Sequence, residues 1–236
     1  MSDIAYFLNT QTPTAKRPLL GLTVLLVEDS QTACEAMRLM CLRSGARIRR
    51  ADCLESARRH LRVYRPNVVI SDMGLPDGSG AELIRDLDTA TPRVEAVIGL
   101  SADPLQEGVA IDAGANGFIE KPLGSIAAFQ SAVLKFLPSG HQPFGPRAVN
   151  NEEVQADPIA LQEDLALAQN LLTGGEQTAD TKTYLATFLS GVASTANDTE
   201  LAEVAANFAK ARAMVGPEKA KLQALLNERL CQKVAI

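Results

Sequence analysis

The sequence predicts an α/β fold over residues 21–137 and an all-helical region over 156–236, with a linker at 138–155 between them. Short apolar runs rich in β-branched residues alternate with amphipathic stretches in the first part, as in a parallel sheet with helical crossovers. Pro138 to Gln155 is rich in Pro, Gly and polar residues, a semi-stiff connector. Beyond it the apolar residues recur at three- and four-residue spacing, the stripe of an amphipathic helix.

Residues 1–20 have no period and are expected to be a loose tail, although Ala5-Tyr6-Phe7-Leu8 could pack on a neighbouring surface. Gly21 to Val27 reads as the first strand and ends on Glu28-Asp29. Ser30 can cap a helix to about Arg43, with Ala33, Met37, Met40 and Cys41 inward and Ser44-Gly45 closing it. Ala46–Ala51 alternates as an edge strand, its arginines discouraging edge-to-edge pairing. A second helix starts at Asp52 or Cys53. Its Arg58, Arg59, Arg62 and Arg65, with Arg43, Arg47, Arg49 and Arg50, form a basic side. That side reads as solvated, with docking of an acidic partner, such as the second half of the chain, as the alternative.

Val68-Val69-Ile70-Ser71 is a buried parallel strand that ends on Asp72 and breaks into the turn Met73-Gly74-Leu75-Pro76-Asp77-Gly78-Ser79-Gly80. Ser79-Gly80 opens a helix with Leu83, Ile84 and Leu87 inward. Val94 to Leu100 is a strand ending on Ser101-Ala102, and a short helix follows to Ala113-Gly114-Ala115. Gly117-Phe118-Ile119-Glu120 ends on Lys121-Pro122, and a last helix runs from about Ser125 to Leu137.

In open α/β sheets, chemistry sits outside the carboxyl ends of the strands. An acidic pair (Glu28, Asp29), a lone acid (Asp72), a hydroxyl (Ser101) and a lysine (Lys121) each follow a strand there. A helix cap or turn aspartate is the structural alternative for Asp72 taken alone. With the four elements in order, residues 21–137 resemble the CheY-like receiver domain of two-component response regulators. The resemblance implies a flavodoxin-like (βα)5 fold with strand order 2-1-3-4-5. It implies that a histidine kinase or phosphotransfer protein phosphorylates Asp72, with Mg2+ as the cofactor. Asp29 would ligate the metal directly with Asp72 and the Gly74 carbonyl, Glu28 would support through water, and Lys121 would pair with Asp72 and then with a phosphoryl oxygen. Ser101 takes the place of the switch hydroxyl and Phe118 that of the switch aromatic, with core packing as the alternative for Phe118. Pro122 matches the family's cis proline, whereas the residues alone support a turn. Such a domain is a phosphoacceptor that also hydrolyses its own acyl phosphate, and no enzyme in the ordinary sense is expected.

In the helical half, Asp157-Pro158 reads as a cap and first helical residue. The stripes are Leu161, Leu165, Ala168 and Leu171–Leu172, then Tyr184, Leu185, Phe188, Leu189 and Val192 from about Thr178, with Gly174-Gly175 between them. Asn197-Asp198-Thr199-Glu200 has capping-box spacing with Asn197 at the cap. The third stripe is Leu201, Val204, Phe208, Ala211 and Val215. Gly216-Pro217 starts a fourth, with Leu222, Leu225–Leu226, Leu230 and Val234. Short loops favour an antiparallel four-helix bundle.

The 236 residues are 46% hydrophobic with net charge −5, enough for two cores. Residues 1–149 balance, whereas 150–236 hold 7 Lys+Arg against 12 Asp+Glu. This acidity sets nucleic acid aside as a partner, since phosphate neutralisation needs clustered Lys and Arg. The favoured output is binding of a protein partner or self-association through residues 156–236, with Tyr184, Phe188 and Phe208 as candidate anchors. The alternative is a helical domain that binds nucleic acid and regulates transcription. A third class, a histidine phosphotransfer bundle, would need a histidine, and 156–236 has none. A degenerate one, kept as a docking surface, stays open. The two histidines, His60 on the arginine-bearing helix and His141 in the linker, lack a setting for phosphotransfer, so the relay is expected to end at Asp72. No run approaches the roughly 18 apolar residues of a membrane span, and the N-terminus has no signal pattern, so a cytoplasmic protein with no membrane partner is expected. Cys34, Cys41, Cys53 and Cys231 lack metal-ligand spacing and read as reduced thiols.

Overall fold

The computed structural model describes residues 12–141, 143, 145, 149–174, 178–211 and 216–231. Five parallel strands form one sheet: β1 (Thr23–Val27), β2 (Arg47–Ala51), β3 (Val68–Asp72), β4 (Ala96–Ser101) and β5 (Gly117–Glu120), in the order β2-β1-β3-β4-β5. Burial explains that order. β3 and β4 are buried at every position and lie inside, while β2 alternates its arginines to solvent at an edge.

Five helices cover the sheet: α1 (Gln31–Ser44), α2 (Leu54–Val63), α3 (Gly80–Thr89), α4 (Gln106–Asp112) and α5 (Ile126–Phe136). Successive strand residues point to opposite faces. Val24, Leu26, Val68, Ile70, Ala96 and Ile98 therefore pack against Met37, Met40 and Cys41 of α1 and Phe129 and Val133 of α5. Leu25, Val27, Val69 and Val97 pack against Leu54, Ala57, Leu83, Ile84, Leu87 and Ala110 on the other face. Ser30, Cys53, Ser79 and Ser125 cap helices with their side chains, and Ser79 with Glu82 forms a capping box. Gly45 closes α1 at φ 92, left-handed backbone that suits glycine.

The expected loose tail over 1–20 needs correction in its described part. Leu19 is fully buried in the core and its N–H donates to the Ser44 carbonyl, so the segment before β1 is stapled to the end of α1. Residues 1–11, with Ala5-Tyr6-Phe7-Leu8, lie outside the described residues.

The second half comprises α6 (Pro158–Gly174), α7 (Ala179–Ala196), α8 (Thr199–Lys210) and α9 (Pro217–Cys231), packed as a four-helix bundle. Its core is Leu165, Ala168, Leu172, Leu185, Phe188, Leu189, Val192, Leu201, Val204, Phe208, Leu222 and Leu226. Asp157 caps α6 as expected, and α7, expected from about Thr178, has Thr178 as its cap. The cap of α8 differs: it is Asp198, not Asn197. Asn197 takes the left-handed position that ends α7, at φ 56, while Asp198 accepts from the Leu201 N–H and from Arg229 of α9. Asparagine tolerates left-handed backbone and aspartate gains from the cation, so the pair divides the two roles. Helix α8 stops at Lys210; Val215, Gly175 and Val234 lie outside the described residues.

The bundle docks on the first half. Helices α6 and α7 pack on α1, and α7 reaches the Gly74–Leu75 segment. The linker joins the contact: the Glu152 and Asn150 carbonyls accept the Ile126 and Ala127 N–H groups of α5. Among the described residues, the main contacts of the helical half run to α1 and the Gly74–Leu75 segment, and on the basic side Arg43 of α1 pairs with Glu152 of the linker at 2.7 Å. Arg58 pairs with Asp86, and Arg50 with Glu35. Among the described residues, no helix is long and apolar enough to cross a membrane.

Candidate functional site

The carboxyl ends of β1, β3, β4 and β5 bring the expected residues to one edge of the sheet. Glu28 and Asp29 follow β1, Asp72 ends β3, Ser101 ends β4 and Lys121 follows β5. One oxygen from each of Glu28, Asp29 and Asp72 lies within 4.8 Å of the others. Lys121 Nζ sits between two of them, 2.6 Å from Glu28 Oε2 and 2.8 Å from Asp72 Oδ1. The backbone holds the cluster in place: Gly74 N–H donates to Asp72 Oδ2 at 2.8 Å, and Ser30 N–H donates to Glu28 Oε1 at 3.2 Å. The peptide bond from Lys121 to Pro122 is cis.

Ser101 is buried at the same edge. Its hydroxyl accepts the Asp103 N–H at 3.1 Å and its carbonyl accepts the Lys121 N–H at 2.8 Å. Phe118 is half-buried and packs on the α3–α4 side of the sheet, close over Gly99. Neither His60 nor His141 approaches the cluster: His60 stacks edge-on with Tyr64, and His141 pairs with Glu95 at 2.6 Å.

Three acids gathered in a low-dielectric pocket disfavour one another's charge. Burial is the main cause that pushes Glu28 up to about 8; Asp72 and Asp29 add to it and Lys121 opposes it. Asp29 is pushed up to about 6, again mainly by burial, against a hydrogen bond from Tyr184 that favours the anion. Burial pulls the Lys121 ammonium down, but Asp72 and Glu28 outweigh it and hold it above its ordinary value. One cation among three carboxylates leaves the cluster short of positive charge. Glu28 Oε2 touches Lys121 yet has no hydrogen bond of normal geometry. A hard divalent cation held by oxygen ligands suits this deficit.

Helix α7 reaches into the site in a way the sequence did not disclose. Tyr184 Oη donates to Asp29 Oδ2 at 2.5 Å, and burial, with Asp29 next to it, raises the phenol above its ordinary value. A Cβ on Gly74 would stand 2.5 Å from Thr187 Cγ2, and one on Gly191 would stand 3.4 Å from Lys121 Nζ. Positions 184, 187 and 191 are three and four apart, so one face of α7 spans the cluster. Asp164 of α6 is 1% exposed and accepts from Ser30 Oγ at 2.8 Å, Gln31 N at 2.8 Å and Thr32 N at 2.9 Å. A carboxylate from the helical half thus caps the first helix of the sheet domain. Its signal in the sequence was an acid inside the apolar stripe Leu161, Leu165, Ala168. A cleft of about 1000 Å³ remains open beside α7, lined by Gly74, Ser101, Ala102, Tyr184 and Thr187 among others.

The sequence profile of the response regulator receiver domain matches residues 24–133. The KDP operon transcriptional regulatory protein KdpE of Escherichia coli (strain K12) is 34% identical over 101 residues, 43% of this chain and 45% of that protein. The transcriptional regulatory protein CitB of Klebsiella pneumoniae is 34% identical over 107 residues, 44% of this chain and 45% of that protein. The chain thus spans about half the length of the curated relatives it matches. Among solved structures, chemotaxis response regulator CheY4 of Vibrio cholerae aligns with TM-score 0.46 and 20% identity, over 49% of this chain and 98% of its own. The receiver domain of sensor histidine kinase PA1611 of Pseudomonas aeruginosa, described with a magnesium ion in its active site cleft, aligns with TM-score 0.45 and 24% identity, over 49% of this chain and 96% of its own. The curated relatives are transcriptional regulators, and they overturn the expectation that set nucleic acid aside. The net charge of a domain measures its average field, whereas nucleic acid is gripped by local groups.

Proposed function

We propose, from the premise that residues 24–133 are a response regulator receiver domain, that this chain accepts a phosphoryl group on Asp72 from a histidine kinase or phosphotransfer protein and controls transcription through its helical half. The convergence of Glu28, Asp29 and Asp72 around Lys121 is the observation that carries the first part. In the transfer, an Asp72 oxygen bonds to phosphorus as the nitrogen–phosphorus bond to the donor histidine breaks, and the imidazole leaves. Asp29, the more open of the paired acids, Asp72 and the Gly74 carbonyl would hold Mg2+, with Glu28 in support, and the bound ion would neutralise charge on the phosphoryl oxygens. Lys121 exchanges its contact with Asp72 for one with a phosphoryl oxygen. The Ser101 hydroxyl turns from the Asp103 N–H toward the new anion, and Phe118 repacks behind it. Of the two acids after β1, Glu28 is held by Lys121 and Ser30, which supports the indirect role for it.

The transcriptional output is supported by the relatives, which are transcriptional regulatory proteins. The test is DNA binding by the full chain against a library of genomic fragments, with and without Mg2+ and acetyl phosphate. Enrichment of discrete fragments that depends on Asp72 supports the reading, and uniform, Asp72-independent retention contradicts it. A second reading, output through protein contacts of the helical half, is favoured by the docking of α6 and α7 on the receiver. It would show as phosphorylation-dependent dimerisation in sedimentation.

A further inference from the structure

Residues 43–65 hold eight arginines, no lysine and two acids. Three of the arginines are paired within the fold: Arg43 with Glu152, Arg50 with Glu35 and Arg58 with Asp86. Arg47, Arg49, Arg59, Arg62 and Arg65 are exposed and, among the described residues, meet no carboxylate. They share one side of the molecule. Arg49 pairs in register with Leu25, which packs on the sheet face that α2 covers, and Arg47, two residues away, points the same way. Arg59 and Arg62 stand three apart on α2, and Arg65 follows its end. Burial raises the Tyr64 phenol and the Arg49 charge opposes it, so the edge strand and the end of α2 lie side by side.

Local structure accounts for part of this. Cations at a sheet edge discourage edge-to-edge pairing, and a cation in the last turn of α2 suits the helix dipole. Lysine meets both needs as well as arginine does. Like charges at positions 58, 59 and 62 also repel along α2. What a guanidinium adds over an ammonium is a planar fork that takes two phosphate oxygens at once. A protein partner is a poorer match, because the centre of a protein interface is apolar and depleted of charge. On β2 and α2 the one large apolar side chain that stands exposed is Val63.

We propose that β2 and the end of α2 grip the phosphate backbone of double-stranded DNA through Arg47, Arg49, Arg59, Arg62 and Arg65. This deepens the transcriptional reading above and rests on it: the sequence-independent grip lies on the receiver, and base recognition is left to the helical half. Phosphate contacts position a protein on the duplex while base contacts select the sequence. An acidic helical half and a transcriptional role are then compatible.

The experiment measures binding of the full chain to a fluorescent mixed-sequence duplex by anisotropy, from about 50 to about 200 mM salt. Each phosphate neutralised contributes about 0.9 to the slope of log affinity against log salt, so five arginines give about −4.5 and a loss of several hundredfold over that range. In the triple variant Arg59→Gln, Arg62→Gln, Arg65→Gln the slope should fall to about −1.8. Arg47→Gln with Arg49→Gln, on a different element, should bring it to about −2.7. Both sets sit at exposed positions and break no ion pair, so wild-type melts are expected. Lys210→Gln with Lys221→Gln, exposed in the helical half, should leave the slope unchanged. A slope kept by both arginine variants, or lost in the lysine variant, overturns the grip and leaves the transcriptional reading standing. A wild-type chain that does not bind the duplex overturns the grip; enrichment of discrete genomic fragments by the same chain then keeps the transcriptional reading, and its absence removes both. A salt-sensitive dimer that the arginine variants lack, with no duplex binding, assigns this side to a second copy and overturns the grip as well.

Discussion

Removing divalent metal should make this fold lose stability as pH rises, and adding it should flatten the slope. Glu28 rises from 4.5 to about 8 and Asp29 from 3.8 to about 6 in the metal-free fold, mainly by burial. A raised carboxyl means the folded state holds a proton that the unfolded chain releases. Stability therefore falls with pH between the ordinary value and the raised one, by up to about 1.4 kcal/mol per pH unit for each group. Glu28, at 2% exposure, contributes a loss on the order of a few kcal/mol by about pH 8. Asp29 is less deeply buried than Glu28 and its shift is smaller, so it adds less. Lys121 is also raised, and its contribution is fully present below the ordinary lysine value, so it adds no slope in this window. Mg2+ holds the carboxylates as anions, and at a hundredfold excess over its Kd it contributes about 2.7 kcal/mol. At about 2–4 °C per kcal/mol for a chain of this size, the metal should raise Tm by several degrees at about pH 8 and little at about pH 5. Calorimetric melts across that range, in chelator and in excess Mg2+, test it. A metal-free Tm that is flat or rises with pH, or an equal effect of Mg2+ at both ends, refutes the reasoning.

Asp29→Asn should weaken Mg2+ binding more than Glu28→Gln does, and equal losses by titration calorimetry would reject the direct role of Asp29. Ser101→Ala should still accept phosphate from acetyl phosphate but show a smaller change in hydrogen exchange around Phe118; a wild-type response would disconnect the hydroxyl from the switch. Asp198→Ala should cost about 1–2 kcal/mol in the helical half, since it removes both the cap of α8 and the partner of Arg229. A change within error in chemical unfolding would contradict that.

The sheet and its site were legible because buried parallel strands leave a clear mark: β-branched runs closed by turn residues. A polar residue at the carboxyl end of such a run has no packing role to explain it. Glu28, Asp29, Asp72, Ser101 and Lys121 stood out for that reason, and the structure brings them to one edge. Local ambiguity hid smaller features. Asn197 and Asp198 are both cap formers, and pattern alone could not divide the cap of α8 from the end of α7. Leu19 lies in too short a segment to show a period, so its burial was invisible. The docking of α6 and α7 was out of reach for a different reason: the placement of one domain on another is set by surface shape, which leaves no periodic trace. Asp164 inside an apolar stripe was the one available hint. Tyr184 stands both in the second apolar stripe and among the candidate anchors, because spacing cannot tell a residue that packs inward from one at the rim that reaches a neighbouring domain.

The central claim is that Asp72 carries the phosphoryl group, and chemical trapping tests it most directly. The full chain is treated with Mg2+ and acetyl phosphate, reduced with borohydride and digested for mass spectrometry. An aspartyl phosphate becomes homoserine under reduction, so homoserine at position 72, absent when the metal is chelated, is the expected result. Homoserine at Asp29, a corresponding reduction product at Glu28, phosphate on His60 or His141, or no modification in the presence of Mg2+ would contradict the account.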